Sequence, residues 1–425
     1  MNLAQFLTNV TNRRRSSIIR EWAKKFVKTK NAISLAAGMP NTETFPFEEI
    51  TITYKNGTKS RLFGDELAWS LQYGPSQGYL PLLNEIRKFQ EYWHKPMYND
   101  WDLIITSGSM DGCSKVFEMV LEVGDPVMVQ MPAYDGILIA LAPFAPEFIE
   151  ISQDQDGIDP ENIIEVCEER IRTGRPVPKI IYVNPTGANP TGTVLTESRR
   201  RKVYELAEKY DFLIIEDDPY CFIQFEDERL TTMIELDTVG RVIRLDSFSK
   251  IFSAGLRLGV VTARTEFIRK LELHMQMTNI HASSLSQMLL YKFLNAWDLP
   301  KLREHFNYVK DFYRKRRDVM LSLIEKHLTG LAEWNVPKGG MFVWITVNQV
   351  KDVMALTTEK CVSQGVFVLP GHAFNYNRSK PEQHIRLSFS YATPEQIDKA
   401  LAILAKLIRE EIAKCKDQQN AENCS

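Results

Sequence analysis

The segment DSFSKIFSAGLRLG (residues 246–259) separates two apolar runs, VIRL (242–245) and LGVVTA (258–263). Short apolar runs of this kind are typical of buried strands, so we expect a polar loop between two strands. The loop carries an amine, hydroxyls and a guanidinium: Lys250, Ser247, Ser249, Ser253 and Arg257. A lysine among serines is usually a solvated surface residue, so this segment indicates a site only in combination with others.

Further apolar runs of strand length precede this segment along the chain: LIIT (103–106), VMVQ (127–130), KIIYV (179–183) and FLIIE (212–216). Helical periodicity lies between several of them, as in residues 197–210, where apolar positions form one stripe. Alternating strands and helices are typical of an α/β domain with a largely parallel, helix-covered sheet. We therefore predict such a domain over residues 49–300.

The pattern changes after residue 300. A long helix is predicted over residues 302–327 and another near 353–363. Strands are predicted at MFVWITV (341–347), VFVLP (366–370) and IRLSFS (385–390). A final amphipathic helix opens at Thr393 and Pro394, with Gln396 at the capping-box position. These elements predict a smaller α+β domain over residues 301–425, and residues 1–48 form a separate N-terminal segment.

The composition excludes several classes of protein. The chain has 425 residues, 44% hydrophobic and 25% charged, with a formal net charge of −2. This balance gives no reason to expect a nucleic-acid or acidic-lipid partner. No apolar run reaches the length of a membrane span. The six cysteines form no CxxC pair, so neither a zinc site nor a disulfide framework is indicated.

The N-terminus is basic and leaves two interpretations open. Residues 1–20 contain four arginines and no acidic residue. Such a composition occurs in mitochondrial transit peptides, and it also occurs in basic structural segments. We expect a cytoplasmic protein, with the mitochondrial matrix as the alternative.

Polar segments follow four of the predicted strands: TSGSMDG (106–112), NPTGANPTG (184–192), EDDPY (216–220) and the opening segment. Because the carboxyl ends of parallel strands share one edge of a sheet, these segments are expected to converge there. The first opens a helix, where backbone N–H groups and the helix dipole favour an anion. The second resembles a P-loop in its glycine spacing, but Thr193 stands where the phosphate-binding lysine is required.

The chemistry of these segments is complementary. Donors suited to a phosphate are Ser109, Ser247, Ser249 and Arg257. Lys250 supplies an amine that can bond covalently to an aldehyde. Asp217 follows a buried strand, where a carboxylate requires a cation such as a protonated pyridine nitrogen. Pyridoxal 5′-phosphate is the cofactor that uses all three features, and no metal site is indicated.

The motifs resemble those of the fold-type-I pyridoxal-phosphate aminotransferases. SFSKIFSAGLRLG (247–259) is similar to the lysine signature of that family, NPTGANPTG to its asparagine loop, and EDDPY to its Asp-x-x-Tyr element. The likeness extends from SLAAGMPN (34–41) to IRLSFS. The resemblance implies a large domain with a mainly parallel seven-stranded sheet between helices, plus a smaller α+β domain.

The resemblance also implies roles for individual residues. Lys250 matches the covalently bound lysine that moves the substrate proton, and Asp217 the partner of the pyridinium nitrogen. Asn189 and Tyr220 match donors to the phenolic oxygen of the cofactor, and Tyr134 the aromatic residue stacked on its ring. The phosphate group is assigned to Ser109, Ser247, Ser249 and Arg257. Met110 replaces a residue that is often polar in the family, so only a backbone contact is expected there.

Substrate contacts are implied at other positions. Arg386, in IRLSFS, matches the arginine that binds the α-carboxylate, with Asn189 beside it. Tyr73 matches a tyrosine that reaches the cofactor of the neighbouring subunit, which implies a homodimer. Gly38 and Arg20 match N-terminal positions near the substrate, although a turn glycine and a surface arginine explain them equally well. His281 has no assigned role.

Within the family, the narrower match is to enzymes that act on kynurenine and 2-aminoadipate. It is carried by MNLAQF (1–6), FPF (45–47), YELAEKYDFLIIEDDPY (204–220) and LTGLAEWNVPKGGMFVW (328–344). We therefore expect ping-pong transfer of an amino group from kynurenine, 2-aminoadipate or a related amino acid to 2-oxoglutarate. The alternatives are an aromatic or branched-chain transaminase, a β-elimination lyase, and a ligand-sensing regulatory domain on the same fold.

Overall fold

A computed structural model describes residues 2–29, 33, 35–36, 38–227 and 229–423. The chain divides into two compact units. The first unit comprises Met1–Val123, Leu213–Pro219 and Thr231–Arg303. The second unit comprises Gly124–Phe212, Tyr220–Leu230 and Glu304–Ser425. The domain boundaries predicted from the sequence remain a prediction.

The strands are short and lie between helices along most of the chain. They are β1 (Ile50–Thr53), β2 (Lys59–Leu62), β3 (Trp101–Thr106), β4 (Pro126–Gln130), β5 (Glu147–Ile151), β6 (Gln153–Asp154), β7 (Gly157–Ile158), β8 (Ile180–Val183), β9 (Leu213–Asp217), β10 (Val242–Ser247), β11 (Gly259–Arg264), β12 (Ala332–Trp334), β13 (Phe342–Val347), β14 (Leu369–Pro370) and β15 (His384–Ser388).

The α-helices are α1 (Asn9–Arg13), α2 (Ile18–Lys28), α3 (Gly64–Ser70), α4 (Leu80–Trp93), α5 (Ser109–Val120), α6 (Asp135–Leu141), α7 (Pro160–Arg172), α8 (Glu197–Tyr210), α9 (Met233–Leu236), α10 (Thr265–Thr278), α11 (Ser284–Ala296), α12 (Leu299–Leu328) and α13 (Pro394–Asn423). A π-helical stretch runs over Leu356–Cys361. Short 3₁₀ helices lie at Leu3–Phe6, Thr42–Thr44, Ala142–Phe144, Ala254–Leu256 and Gly371–Phe374.

The main sheet has seven strands within the described residues, in the order β3-β11-β10-β9-β8-β4-β5. In the first unit β9 runs parallel to β10, and β11 is antiparallel to both β10 and β3. In the second unit β4 runs parallel to β5 and to β8. The predicted α/β fold with a mainly parallel sheet is confirmed.

The loop of residues 248–258 explains why β11 is antiparallel to its neighbours in this sheet. Ser247 at the end of β10 pairs with Gly259 at the start of β11, so residues 248–258 join two antiparallel neighbours. A parallel connection requires a crossover of a dozen or more residues, usually a helix. Lys250 therefore lies on the connection that reverses the chain.

The second unit also contains an antiparallel sheet in the order β12-β13-β15-β14. Its core includes Val343, Ile345, Ile385 and Leu387. The last helix begins as predicted, because Thr393 N donates to Gln396 Oε1 at 2.9 Å and Gln396 N donates to Thr393 Oγ1 at 3.3 Å. This reciprocal pair is the capping box.

The N-terminal segment is attached to α5 and α10 within the first unit. Thr8 N donates to the carbonyl of Met119 at 3.0 Å, and Arg14 pairs with Glu118. His274 of α10 lies 2.6 Å from the other carboxylate oxygen of Glu118. No helix of the described residues has the length and apolar character needed to cross a membrane.

Candidate active site

In the first unit, the loop between β3 and α5 packs closely against the start of β11. Gly108 has a φ of +95°, and a methyl group there would lie 2.5 Å from Nη2 of Arg257. A methyl group on Gly259 would lie 2.6 Å from the backbone nitrogen of Ser109. The two glycines therefore let the Arg257 guanidinium approach the N-terminus of α5, where backbone N–H groups favour an anion.

Neighbouring polar groups hold this loop in place. Thr106 Oγ1 donates to the carbonyl of Gly108 at 2.9 Å, and Ser107 N donates to Asp111 Oδ2 at 3.0 Å. Asn279 Nδ2 donates to Ser107 Oγ at 3.0 Å from the end of α10. The shape of the loop is therefore fixed by the protein itself, which favours preorganised anion binding.

The turn after β10 presents the predicted lysine. Lys250 is half-buried, and Ser247 is buried at the end of the strand. Ser249 N donates to Ser247 Oγ at 3.3 Å. Arg257 is exposed and has a φ of +51°. Within the first unit, the turn thus carries the amine, two hydroxyls and the guanidinium on one short connection.

Asp217 ends β9 and is 4% exposed. It pairs in register with Leu245 of β10. Burial raises the pKa of the Cys113 thiol of α5, and the negative charge of nearby Asp217 raises it further. A carboxylate buried at this depth is costly unless a cation approaches it. Asp217 is therefore suited to pair with a positively charged ligand atom.

The opposite face of β9 and β10 carries a buried ion cluster that the sequence analysis did not anticipate. Arg244 lies 3.0 Å from Glu216, 3.4 Å from Asp218 and 2.8 Å from Asp246. Successive side chains of a strand point to opposite faces, so these carboxylates lie on the other side from Asp217. The cluster ties together the two strands that end in Asp217 and Ser247.

In the second unit, Arg386 of β15 bonds to Asn189. Arg386 Nη1 donates to Asn189 Oδ1 at 2.8 Å. The guanidinium carbon lies 4.0 Å from the centroid of the Phe342 ring and 5.0 Å from that of Phe374. Nε of Arg386 makes no hydrogen bond within the described structure. The two rings and Asn189 therefore hold a half-buried guanidinium that retains donor capacity for an acceptor such as a carboxylate.

Burial lowers the pKa of Arg386, and the nearby Tyr220 and Tyr134 oppose this shift. Tyr220 is buried, with its ring edge-on to Phe342 at 6.2 Å between centroids. Tyr134 caps α6, and a methyl group on Gly136 would lie 2.6 Å from its ring. The second unit thus brings Tyr134, Tyr220, Asn189 and Arg386 close to one another.

The loop that carries Asn189 needs its glycines. A methyl group on Gly187, whose φ is +57°, would lie 2.2 Å from the backbone nitrogen of Gly340. Asn189 N donates to Asn184 Oδ1 at 2.9 Å. Buried Arg200 donates to the carbonyls of Leu195 and Pro185. Close backbone packing and these bonds fix the position of the Asn189 side chain.

The N-terminal candidates belong to the first unit. Arg20 lies over the Tyr73 ring, with 5.9 Å from the guanidinium carbon to the ring centroid. Tyr73 is 53% exposed. Gly38 is exposed, and within the described structure no atom lies within 4 Å of the position of a Cβ there. Met110 is half-buried in the first turn of α5. The predicted substrate role of Gly38 and the cofactor contact of Met110 stay predictions.

Comparison with known proteins decides the family. The sequence profile described as aminotransferase class I and II matches residues 33–404. The chain belongs to the class I and II aminotransferases. A Bos taurus protein named kynurenine/alpha-aminoadipate aminotransferase, mitochondrial, is 40% identical to this chain, covering 97% of it and 100% of the relative. The predicted resemblance and the enzyme class are confirmed.

Two further relatives widen the comparison. Aromatic-amino-acid aminotransferase 1 of Thermococcus litoralis is 35% identical, covering 94% of this chain and 93% of the relative. The crystal structure of a Pyrococcus horikoshii kynurenine aminotransferase with PMP has a TM-score of 0.77 and 31% identity. It covers 97% of this chain and 98% of the other. Class I and II aminotransferases depend on pyridoxal phosphate and are typically dimeric.

Sequence reasoning missed several residues that shape the surroundings of the candidate residues in each unit: Gly108 in the first unit, and Asn184, Arg200, Phe342 and Phe374 in the second. The two phenylalanines lie in apolar runs, where they are indistinguishable from core residues before the position of Arg386 is known. Asn184 could have been found, because it opens the polar loop that follows a predicted strand. Among the described residues, no cluster of His, Cys, Asp or Glu has the arrangement of a metal site.

Proposed function

We propose that the enzyme transfers the amino group of kynurenine, 2-aminoadipate or a related amino acid to 2-oxoglutarate. The observation that carries the proposal is the half-buried guanidinium of Arg386, which donates to Asn189 and lies over two phenylalanine rings. Both donor and acceptor substrates contain an α-carboxylate, which a guanidinium binds through two parallel hydrogen bonds. The names of the relatives support this choice of substrates.

The residues present fit pyridoxal 5′-phosphate. The loop at Gly108, Arg257 and the start of α5 form a candidate anion-binding site. A Cβ at Gly108 would lie 2.5 Å from Nη2 of Arg257 and would occupy part of this site. Buried Asp217 suits the pyridinium nitrogen, and Lys250 provides an amine next to Ser247. We propose that Ser109, Ser249 and Met110 N also contact the phosphate, that Tyr134 covers the ring, and that Tyr220 and Asn189 donate to its oxygen.

When bound, pyridoxal phosphate acts as an electron sink that stabilises negative charge at the substrate α-carbon. In the proposal, Lys250 would take the proton from the substrate α-carbon and deliver it to C4′ of the cofactor. Arg386 would hold the substrate carboxylate and so restrict the orientation of the substrate. Asp217 balances the charge of the ring nitrogen. An amine held close to its target contributes as a general base, typically by about 10²–10⁴-fold.

An aromatic amino acid is the second candidate for the amino donor. The relative from Thermococcus litoralis, named as an aromatic-amino-acid aminotransferase, supports it. The two phenylalanines at Arg386 provide apolar surface that suits an aromatic side chain as well as kynurenine.

We further propose a homodimer in which Tyr73 reaches the cofactor of the neighbouring subunit, with Arg20 and Gly38 near the substrate. The proposed organisation is an N-terminal segment (1–48), a cofactor-binding domain (49–300) and a small domain (301–425). For the compartment, we propose the cytoplasm, with the mitochondrial matrix as the alternative that the name of the bovine relative supports.

A half-reaction tests the substrate assignment. The protein is purified with pyridoxal phosphate, its visible absorption band is recorded, and one amino acid is added without an oxo acid. We expect kynurenine and 2-aminoadipate to remove the band and 2-oxoglutarate to restore it. Phenylalanine and leucine are tested in the same way as comparison amino donors. Conversion by phenylalanine alone selects the aromatic candidate, whereas conversion by leucine alone contradicts both.

A further inference from the structure

His281 makes two hydrogen bonds that fix both its orientation and its tautomer. Its Nε2 lies 3.1 Å from the backbone nitrogen of Gly74, and its Nδ1 lies 2.7 Å from the carbonyl oxygen of Ala282. An N–H group can only donate and a carbonyl can only accept. The ring is therefore neutral, with its proton on Nδ1, and Nε2 accepts from Gly74.

Gly74 is buried, so its N–H group requires an acceptor. His281 supplies this acceptor from across the first unit, at the turn that ends α10. Tyr73, the preceding residue, lies edge-on to the His281 ring with 6.3 Å between centroids. Burial also lowers the pKa of His281, and the charge of Arg20 lowers it further, so the neutral form is favoured.

The same stretch of chain makes other contacts with the segment around Tyr73. Ser284 Oγ donates to the carbonyl of Gln72 at 2.9 Å, and Arg20 Nη1 donates to the carbonyl of Gly74 at 3.4 Å. Two residues before His281, Asn279 donates to Ser107 of the loop that precedes α5. One short segment therefore bonds to both proposed phosphate-binding parts of the first unit, the α5 loop and the Tyr73 segment.

We propose that His281 is a positioning residue that holds Gly74, and through it the Tyr73 side chain, in the orientation needed to contact a cofactor phosphate. This inference rests on the proposed function, because it takes Tyr73 as a phosphate contact of the neighbouring subunit. In this proposal His281 acts through Gly74 and is not itself a ligand contact. It gives a role to a residue that the sequence left unassigned.

Two substitutions separate positioning from simple packing. His281→Gln places an acceptor where Nε2 stands, so the bond from Gly74 is retained. His281→Asn reaches only the position of Nδ1, so that bond is lost. The same pair at His327, which bonds to Asp398 at 2.7 Å in the second unit, is the matched control. Dissociation constants of pyridoxal phosphate and of pyridoxal, which lacks the phosphate, are measured on the apo dimer from the visible band.

We expect His281→Asn to weaken pyridoxal phosphate binding roughly three- to tenfold, the range for one lost hydrogen bond. Binding of pyridoxal should be unchanged, and His281→Gln should restore most of the phosphate effect. Tyr73→Phe should weaken phosphate binding by a similar factor, and adding His281→Asn to it should have little further effect.

If His281→Asn and His281→Gln weaken pyridoxal phosphate binding equally, His281 only supports packing. The same conclusion follows if His281→Asn weakens the binding of pyridoxal and of pyridoxal phosphate by the same factor. Unchanged binding in Tyr73→Phe would also overturn the inference. In each of these cases the wild-type protein still binds pyridoxal phosphate with a visible band, and the proposed function stands. Absence of that band in the wild-type protein would overturn the proposed function, and the inference with it.

Discussion

At the residue scale, Arg386 shows how a charged side chain is accommodated beside apolar aromatic rings. It faces Phe342 and Phe374, whose ring faces attract a cation, and it has one hydrogen bond to Asn189. Burial lowers its pKa without neutralising a group that remains protonated in proteins. In the proposed function, a substrate carboxylate supplies the counter-charge, so binding and orientation would follow from the same contact.

Replacing Arg386 by lysine should reduce kcat/KM for the amino donor by about ten- to a hundredfold, the cost of one or more charged hydrogen bonds. Lysine keeps the charge but lacks the planar pair of donors. The measurement is a steady-state titration with 2-aminoadipate. Arg409→Lys, at an exposed position of α13, is the control and should leave kcat/KM unchanged. Equal values for the wild type and Arg386→Lys would contradict the carboxylate assignment.

Gly108 is a second position where a small change, the addition of one methyl group, is expected to alter cofactor binding. Gly108→Ala should keep the protein folded, because the added methyl group meets the flexible end of Arg257. It should nevertheless weaken pyridoxal phosphate binding at least tenfold by displacing a phosphate donor, about 1.4 kcal/mol. Gly124→Ala is the matched control, since its φ is +85° and nothing lies within 4 Å of the new methyl group.

Both alanine variants should lower the melting temperature, because positive φ is unfavourable for alanine. Only Gly108→Ala should change the dissociation constant of the cofactor, measured by titrating the apo protein. A similar loss of cofactor in Gly124→Ala would show that backbone strain, and not the approach of Arg257, explains the effect.

The polar candidate residues were predictable because an amine, a carboxylate, an amide or a guanidinium each has a characteristic chemistry that the residue type alone reveals. Motif and family resemblance identify Lys250, Asp217, Asn189 and Arg386 as candidates. Phe342 and Phe374 could not be identified, since an apolar residue in an apolar run has no signal for function. His281 could be noted in the sequence, but its hydrogen-bond partner, the backbone N–H of Gly74, is identified only by the fold.

At the element scale, the fully buried strands of the main sheet were predictable, whereas its partly exposed edge strand β5 was not. Runs such as FLIIE correspond to β9, whose residues are all buried. Strand β5, EFIEI, contains two glutamates among its five residues and lies at the edge of the main sheet, so no continuous apolar run marks it. The predicted strand at 366–370 is reduced to β14, Leu369–Pro370, because only these residues pair with β15.

The predicted helix near 353–363 exists but contains the π-helical stretch Leu356–Cys361. Apolar periodicity detects the buried face of a helix and is insensitive to one extra residue in a turn. Strand direction shows a similar limit. The antiparallel β11 follows from the short connection after β10, whereas its apolar run resembles those of the parallel strands.

The attachment of α1 to α5 and α10 depends on pH. Burial raises the pKa of Glu118, but the bond to His274 and the charge of Arg14 outweigh this, and the net pKa is lowered. A carboxyl whose native pKa is lowered stabilises the fold fully above its unfolded value of about 4.3. That stability is lost as the pH falls through the native pKa.

His274 acts in the same direction. Burial lowers its pKa, so its neutral native form loses stability as the pH falls below its unfolded value of about 6.5. We expect Glu118→Gln to flatten the decline of the urea midpoint below pH 5, compared with the wild type. Glu333→Gln, at an exposed strand position, is the control. Identical acid profiles for the wild type and Glu118→Gln would contradict the attachment argument.

At the scale of the whole molecule, the family was decided by the order of the motifs more than by any single motif. EDDPY alone indicates an acidic turn and Arg386 alone a polar strand face. The lysine signature, the asparagine loop and the acidic element occur in family order, and the class I and II profile covers residues 33–404. The substrate is less determined, because relatives named for kynurenine and for aromatic amino acids both align over most of the chain.

The central claim is that this chain binds pyridoxal phosphate covalently through Lys250. The most direct measurement is to load the protein with the cofactor, reduce it with borohydride and map the modified peptide by mass spectrometry. We predict a single pyridoxyl group on Lys250, and none on Lys338, a partly exposed lysine that lies 3.2 Å from Asp156. A modification on another lysine, or no modification of Lys250, would contradict the claim.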